Sequence, residues 1–192
     1  MKELKQLVEI SRKYGQDSRF VIAGGGNTSF KDSTRLWVKA SGHALATITE
    51  DGFAVLDRAG LDLIATKEYS ANAAESEAQA TADLMAACIT KDRKPSVETS
   101  LHNALSAPFV IHLHPTIING LTSSMDVEAS TARLFGDKVL YVPYSDPGYA
   151  LFKKVSIALA EYVTKNGCEP EIILLQNHGI FVGAESVEQV EA

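Results

Sequence analysis

Residues 109–115 read FVIHLHP, an apolar run interrupted by two histidines. The first five residues, 109–113, predict a buried β-strand, and Pro115 ends it because proline has no backbone N–H to give to a neighbouring strand. Side chains two residues apart in a strand point to the same face, so His112 and His114 lie close enough to share one metal ion. The alternative is a pair of polar residues on the solvent face of an edge strand.

A second interruption occurs in LLQNHGIF, residues 174–181, where QNHG separates two apolar strands. A polar tetrapeptide ending in glycine indicates a tight bend that directs His178 into a site, and the alternative is a hairpin turn whose histidine has no role. Three histidines at strand ends are typical of a catalytic Zn²⁺ that keeps an open coordination position. Of the other histidines, His43 lies in a predicted loop, and we expect His102 to have a structural role on a helix.

The glycine-rich segment AGGGNTSF, residues 23–30, follows a predicted strand. It lacks the third glycine of a dinucleotide fingerprint, where Ser29 stands, and it lacks the Gly-Lys-Ser/Thr of a P-loop. Its backbone N–H groups and small polar side chains predict a nest for a phosphate, with Gly26 and Asn27 among the binding residues. The alternative is a flexible turn.

Glu98 lies in RKPSVETSLH, residues 93–102. Ser96 is a candidate N-cap, and a glutamate in the first helical turn suits the helix dipole, which is a sufficient structural explanation. The functional alternative requires Glu98 to face the histidines and to act as a general base beside a metal.

Along the chain, predicted helices and strands alternate, which favours an α/β domain. The predicted helices are residues 2–14, 57–66, 75–89, 98–105, 148–163 and 186–192, and residues up to about 134 after the FVIHLHP strand are helix or coil. The predicted strands are residues 20–23, 35–40, 53–56, 109–113, 138–142, 171–175 and 179–182. We expect one domain over residues 1–192 that is cut short within its C-terminal helix.

Composition narrows the class of protein. The 192 residues are 45% apolar and 22% charged, as in an ordinary globular domain, and no apolar run approaches the roughly 18 residues of a membrane helix. The net charge of −6 argues against a general nucleic-acid surface. Two distant cysteines, Cys88 and Cys168, and the lack of a signal-peptide pattern predict a cytoplasmic protein without disulfides.

The motifs GGGNTS, WVKASG, PSVETSLH, HLHP and QNHG occur in this order. Together they resemble the class II aldolase/adducin family from about residue 4 to 192, and their style is most similar to the aldolase domain of bifunctional rhamnulose-phosphate aldolase/alcohol dehydrogenase proteins. The resemblance implies a three-layer α/β/α fold with a central, mainly antiparallel sheet. It also implies a homotetramer with sites at subunit boundaries.

The resemblance assigns roles to residues of this sequence. Glu98 falls on the position of the catalytic acid/base. Tyr144 resembles the tyrosine by which a neighbouring subunit protonates the aldehyde oxygen, although Tyr141 and Tyr149 are close by in the sequence. Val97 departs from the family pattern, in which many aldolases have a second serine that binds phosphate. The zinc-ligand positions are His112, His114 and His178, and the positions that bind substrate phosphate are Asn27, Ser41, Gly42 and Ser96.

The function implied is that of a metal-dependent aldolase. It uses Zn²⁺, or another divalent transition metal, to cleave a ketose 1-phosphate, such as a deoxyketose 1-phosphate of rhamnose metabolism, into dihydroxyacetone phosphate and an aldehyde. Two enzymes on the same fold remain as alternatives, a sugar-phosphate 4-epimerase and a methylthioribulose-phosphate dehydratase. A further alternative is a non-catalytic, adducin-like module.

Overall fold

A computed structural model describes residues 1–191. Its helices are α1 Lys2–Gly15, α2 Arg58–Thr66, α3 Ala73–Ala87, α4 Thr99–Ala104, α5 Thr116–Thr122, α6 Val127–Phe135, α7 Tyr149–Asn166 and α8 Val187–Val190. Its strands are β1 Asn27–Lys31, β2 Arg35–Lys39, β3 Phe53–Asp57, β4 Phe109–Leu113, β5 Val139–Val142, β6 Ile172–Leu175 and β7 Gly179–Ala184. Ala192, at the end of the predicted last helix, lies outside the described residues.

The strands form a seven-stranded sheet in the order β3-β2-β1-β4-β7-β6-β5. All neighbours are antiparallel except β5 and β6, which are parallel. The FVIHLHP strand, β4, is the central strand, and His112 pairs with Asn27 on one side and with Phe181 on the other. The edge-strand interpretation of the two histidines is therefore wrong.

The alternation of side chains along β1 shows how the two faces of the sheet are covered. Asn27, Ser29 and Lys31 point towards α4, whereas the Thr28 hydroxyl lies 2.6 Å from the hydroxyl of Ser11 in α1. One hydrophobic core lies between the sheet and α2, α3, α4 and α7, and a second lies between the sheet and α1. Helices thus cover both faces, which confirms the predicted three-layer fold with a mainly antiparallel sheet.

The segment before β1 differs from the prediction. Residues 20–23 form turns rather than a strand, because the backbone N–H groups of Phe20 and Val21 both bond to the carbonyl of Asp17, and Ala23 has a φ of 55°. The missing strand lies further on, at β1. Ser29, which the sequence analysis placed in an open phosphate nest, is fully buried in that strand.

The position of α4 also differs from the prediction. The predicted helix of residues 98–105 begins at Thr99, and Ser96 is not its N-cap. The Ser96 hydroxyl instead accepts hydrogen bonds from the Glu98 backbone N–H and from the Asn27 amide, both at 3.3 Å. Glu98 therefore lies at the junction between a loop and α4, where its side chain is free to enter the site.

Across the described residues, none of the helices has the length and apolar character needed to cross a membrane.

Candidate metal centre and active site

The three predicted metal ligands come together at one end of the central strand. His112 and His114 lie on the same face at the end of β4, and their Nε2 atoms are 2.9 Å apart. The turn between β6 and β7 brings His178 to them, and one donor nitrogen from each of the three residues lies within 4.8 Å of the others. The bend predicted from QNHG has a left-handed residue at its centre, Asn177, with a φ of 55°.

Close packing in this turn requires glycine at residue 179. A Cβ on Gly179 would lie 2.3 Å from the Leu113 carbonyl oxygen and 2.7 Å from Cδ2 of His114. Glycine at this position therefore allows the His178 turn to approach the end of β4 closely enough to complete the cluster.

Burial shifts the pKa of each of the three imidazoles downwards, which favours the neutral form. Burial, and then the neighbouring His114, lower the pKa of His112 to about 3, and burial lowers the pKa of His178 to about 4. Burial also lowers the pKa of His114. Nδ1 of His112 donates to the carbonyl of Ile180 at 2.9 Å, so its Nε2 presents a lone pair to the cluster. Neutral imidazoles with a fixed tautomer are the form that binds metal ions.

The carboxylate of Glu98 lies against the same cluster. Its Oε2 is 3.4 Å from Nε2 of His112, its Oε1 is 3.2 Å from Nε2 of His178, and the residue is only 7% exposed. A second contact fixes the carboxylate, because Nδ2 of Asn27 donates to Oε2 at 2.7 Å. A buried carboxylate beside neutral imidazoles is costly unless a positive charge accompanies it.

The donor set fits a divalent cation. Within residues 1–191, Oε1 of Glu98 and Nδ1 of His178 are buried without a hydrogen-bond partner. Three neutral nitrogen donors suit Zn²⁺ or a similar transition metal, and a cation among them compensates the charge of the nearby carboxylate. Such an ion would be held by His112, His114 and His178.

The predicted phosphate-binding residues lie on three segments that meet beside Glu98. Asn27 and Ser96 are joined by a hydrogen bond, and the segment that carries Ser96 pairs with the end of β2 through a bridge between Ala40 and Pro95. The backbone N–H of Ser41 bonds to the carbonyl of Lys94 at 2.8 Å, which fixes the start of the Ser41-Gly42 turn.

Two glycines in this region have backbone conformations that favour glycine. Gly26 has a φ of +68°, and a Cβ there would lie 2.8 Å from the His112 carbonyl oxygen. Gly42 has a φ of +88° with open space around it. The first glycine therefore lets the chain approach β4, and the second leaves room beside the loop for a ligand.

Tyr144 is not brought to the cluster within one chain. It lies after β5 with 51% of its surface exposed, and its hydroxyl donates to Asp146 at 2.9 Å. Its backbone N–H bonds to Oε1 of Gln176, in the turn that carries His178. An exposed tyrosine bonded to this turn is compatible with a role in the site of a neighbouring subunit, and that role stays a prediction.

Sequence reasoning missed two features around the site. Lys39 is buried, and burial lowers the pKa of its ammonium group. The nearby Glu98 carboxylate acts in the opposite direction and raises this pKa. Nζ of Lys39 donates a hydrogen bond to the carbonyl of His43. His102 is fully buried and bonds to side chains of β1, one of which, Asn27, holds Glu98. The available signal for Lys39 was a lysine in the otherwise apolar segment RLWVKA, residues 35–40, whereas His102 lies in a polar segment that gave no such signal.

Comparison with known families decides the class. A sequence profile described as the class II aldolase and adducin N-terminal domain matches residues 5–191. The chain belongs to this family. The order of motifs identified above spans the same residues, so the resemblance noted from the sequence is confirmed.

Individual relatives and a solved structure are similar to most of this chain. An L-fuculose phosphate aldolase of Methanocaldococcus jannaschii is 25% identical over 92% of this chain and 81% of its own length. YuxG of Bacillus subtilis (strain 168), named an uncharacterized oxidoreductase, is 27% identical over 97% of this chain, which spans only 27% of that protein. The solved N-terminal class II aldolase domain of a conserved Thermoplasma acidophilum protein has a TM-score of 0.77 at 28% identity, covering 96% of this chain and 84% of that one.

Proposed function

We propose that this domain is a metal-dependent aldolase that cleaves a ketose 1-phosphate into dihydroxyacetone phosphate and an aldehyde. The observation that carries the proposal is the cluster of three histidines, one buried and two partly buried, with the Glu98 carboxylate 3.2–3.4 Å from two of them. A relative named as an L-fuculose phosphate aldolase, which matches 92% of this chain, supports the same reaction class.

In this proposal, His112, His114 and His178 hold Zn²⁺ or another divalent transition metal. The bound cation supplies Lewis-acid stabilisation of the negative charge that develops on substrate oxygens when a carbon–carbon bond next to a carbonyl group breaks. The depressed pKa values of His112 and His178 leave their lone pairs available down to mildly acidic pH.

Glu98 is proposed to move the proton. As the C3–C4 bond breaks, the C4 hydroxyl loses its proton and becomes the aldehyde oxygen, and the enediolate of dihydroxyacetone phosphate remains. Glu98 takes up a proton and delivers it to C3 of this intermediate, so the proton lost at the C4 oxygen is balanced by the proton gained at C3. The carboxylate is suited to this role because it is buried and is held by Asn27, so it meets the reacting carbon in a fixed direction. We further propose that the protein is a homotetramer in which Tyr144 of a neighbouring subunit accepts the proton of the C4 hydroxyl as this group becomes the aldehyde oxygen. In the reverse direction the same tyrosine protonates the aldehyde oxygen.

The phosphate is proposed to bind beside Glu98 and away from the bond that breaks. The hydrogen-bond donors for the phosphate come from the three segments that meet beside Glu98. A phosphate held there orients the reacting carbons of the substrate. Val97, which is 47% exposed, offers no hydroxyl at this place, so the phosphate receives one donor fewer than in many family aldolases. The proposed phosphate-binding residues are Gly26, Asn27, Ser41, Gly42 and Ser96.

The test is product analysis with a panel of ketose 1-phosphates, including the deoxyketose 1-phosphates of rhamnose and fucose. Zinc-loaded protein is expected to release dihydroxyacetone phosphate, detected by coupled NADH oxidation, and a chelator is expected to abolish the release until zinc is restored. Protein that retains stoichiometric zinc but releases no dihydroxyacetone phosphate contradicts the proposal. A C4 epimer or a dehydrated product in the same mixtures would then assign the epimerase or dehydratase reaction.

A further inference from the structure

Three side chains of β1 converge on one buried histidine of α4. Oγ of Ser29 lies 2.7 Å from Nδ1 of His102, Oδ1 of Asn27 bonds to Nε2 of the same ring, and Nζ of Lys31 donates to the His102 carbonyl at 2.8 Å. These residues alternate along the strand, so they occupy one face of the sheet. His102 is fully buried, and its ring packs edge-on against Phe181. Every polar atom of its ring is therefore used inside the protein.

The direction of each hydrogen bond follows from the carboxylate at the end of the chain of contacts. Nδ2 of Asn27 donates to Oε2 of Glu98, which turns Oδ1 of the same amide towards His102. Nε2 of His102 then has to carry the proton, and Nδ1 has to accept from the Ser29 hydroxyl. Burial holds the pKa of His102 well below its ordinary value, which agrees with a neutral ring in a single tautomer.

The opposite orientation of Asn27 is unfavourable at both ends. A rotated amide would place Oδ1 against Oε2 of Glu98, so two acceptors would meet at 2.7 Å. It would also place Nδ2 against the N–H of His102. A buried polar group left without a partner costs about 1–3 kcal/mol.

We propose that His102 is a positioning residue, which fixes the orientation of the Asn27 amide and thereby holds the Glu98 carboxylate in place beside the three metal-ligand histidines. This inference rests on the proposed role of Glu98 as the proton carrier. Ser29 acts one step further out, because its hydroxyl can donate to the Nδ1 that this tautomer leaves without a proton. A histidine that merely ties α4 to β1 would not need a particular tautomer or a particular orientation of the amide.

The first test needs no activity: it measures the tautomer of His102 in the wild-type protein and the Asn27 amide in the wild type and in two variants. Long-range ¹H–¹⁵N spectra of the wild-type protein are expected to show His102 as the neutral Nε2–H tautomer, with the signal assigned by its loss in His102→Gln. The Asn27 side-chain amide is expected to be shifted downfield and protected from exchange in the wild type and in His102→Gln, and to lose this protection in His102→Leu. An Nδ1–H tautomer, or an Asn27 amide unchanged in His102→Leu, would overturn the proposal.

The second test separates positioning from stability. Glutamine keeps an N–H at the reach of Nε2, whereas leucine fills similar space without one. His102→Leu is expected to lower kcat by about 10- to 100-fold with a smaller change in KM, and His102→Gln is expected to restore kcat to within about threefold of the wild type. Equal loss of kcat in the two folded variants would refute the positioning role.

Ser11→Ala provides the matched control. It removes the fully buried hydroxyl of Ser11 in α1, which bonds to Thr28 on the face of β1 opposite to Asn27. The substitution is therefore expected to lower stability to a similar extent without affecting the contacts between His102, Asn27 and Glu98. Its kcat is expected to match the wild type. If no ketose phosphate is cleaved by the wild type, the proposed function fails, while the tautomer and the Asn27 amide still decide the inference.

Discussion

Gly179 packs so closely against the end of β4 that a single added methyl group is expected to disturb the histidine cluster. In Gly179→Ala, the new Cβ would meet the Leu113 carbonyl oxygen at 2.3 Å and Cδ2 of His114 at 2.7 Å. Backbone atoms of paired strands cannot rotate away as a flexible side chain can. The substitution therefore has to separate the start of β7 from the end of β4, where two of the three histidines lie.

The displacement can be estimated from the contact itself. Moving the carbonyl oxygen from 2.3 Å to the 3.0 Å below which real Cβ contacts essentially do not occur requires a shift of about 0.7 Å. Metal–ligand distances tolerate only about 0.2 Å, so His178 and the β4 histidines can no longer bind one ion with good geometry. We expect the affinity for zinc to fall about 10- to 100-fold, and the free energy of unfolding to fall by about 1–3 kcal/mol from overpacking.

The assay is competition for zinc with a chromophoric chelator, combined with circular dichroism to verify the fold. Gly183→Ala is the control, because it adds the same methyl group on the same face of β7 but meets only Cβ of Ala107, at 3.1 Å. Its zinc affinity is expected to equal that of the wild type. If folded Gly179→Ala binds zinc as tightly as Gly183→Ala does, the argument that this glycine sets the geometry of the cluster is refuted.

Three further predictions concern the carboxylate, the tyrosine and a buried lysine. Glu98→Gln is expected to keep stoichiometric zinc but to lower turnover by about 10²- to 10⁴-fold. Unchanged turnover in the coupled assay would mean that Glu98 has only a structural role at the start of α4. Mixed oligomers of inactive Tyr144→Phe and Glu98→Gln chains are expected to regain partial activity, and no recovery in verified mixed oligomers counts against a shared site. Burial, aided by nearby Arg58, lowers the pKa of Lys31 to about 7, so the unfolded chain binds a proton that the folded chain does not bind between about pH 7 and 10.5. The free energy of unfolding, measured by urea denaturation, should therefore rise with pH in that window by up to about 1.4 kcal/mol per pH unit more in the wild type than in Lys31→Met. The same pH dependence in both proteins would contradict the lowered pKa of Lys31.

The histidine cluster could be predicted from the sequence because it depends on local periodicity. Alternation in FVIHLHP places His112 and His114 on one face wherever the strand lies, and the polar QNHG break marks the turn that carries His178. Sequence alone left open whether β4 was an edge or a central strand, because that depends on partners from distant parts of the chain. The pairing of β4 with β1 and β7 decided it.

The strand β1 could not be predicted from the sequence, because it depends on contacts with distant residues rather than on a local pattern. Asn27, Ser29 and Lys31 are polar residues that are uncommon in a buried strand, and three preceding glycines favour a turn. These side chains are tolerated because distant groups satisfy them, namely Glu98 and both the ring and the carbonyl of His102. Hydrogen bonds between residues about 70 positions apart leave no local pattern in the sequence.

X-ray absorption at the zinc edge, on protein loaded with one equivalent of zinc, tests the central claim most directly. The account predicts three imidazole nitrogens at about 2.0–2.1 Å with the remaining position taken by a light oxygen or nitrogen donor. Loss of one imidazole from this shell in His112→Ala would agree with the assignment. A wild-type shell with fewer than three imidazoles, or with a cysteine sulfur at about 2.3 Å, would contradict it.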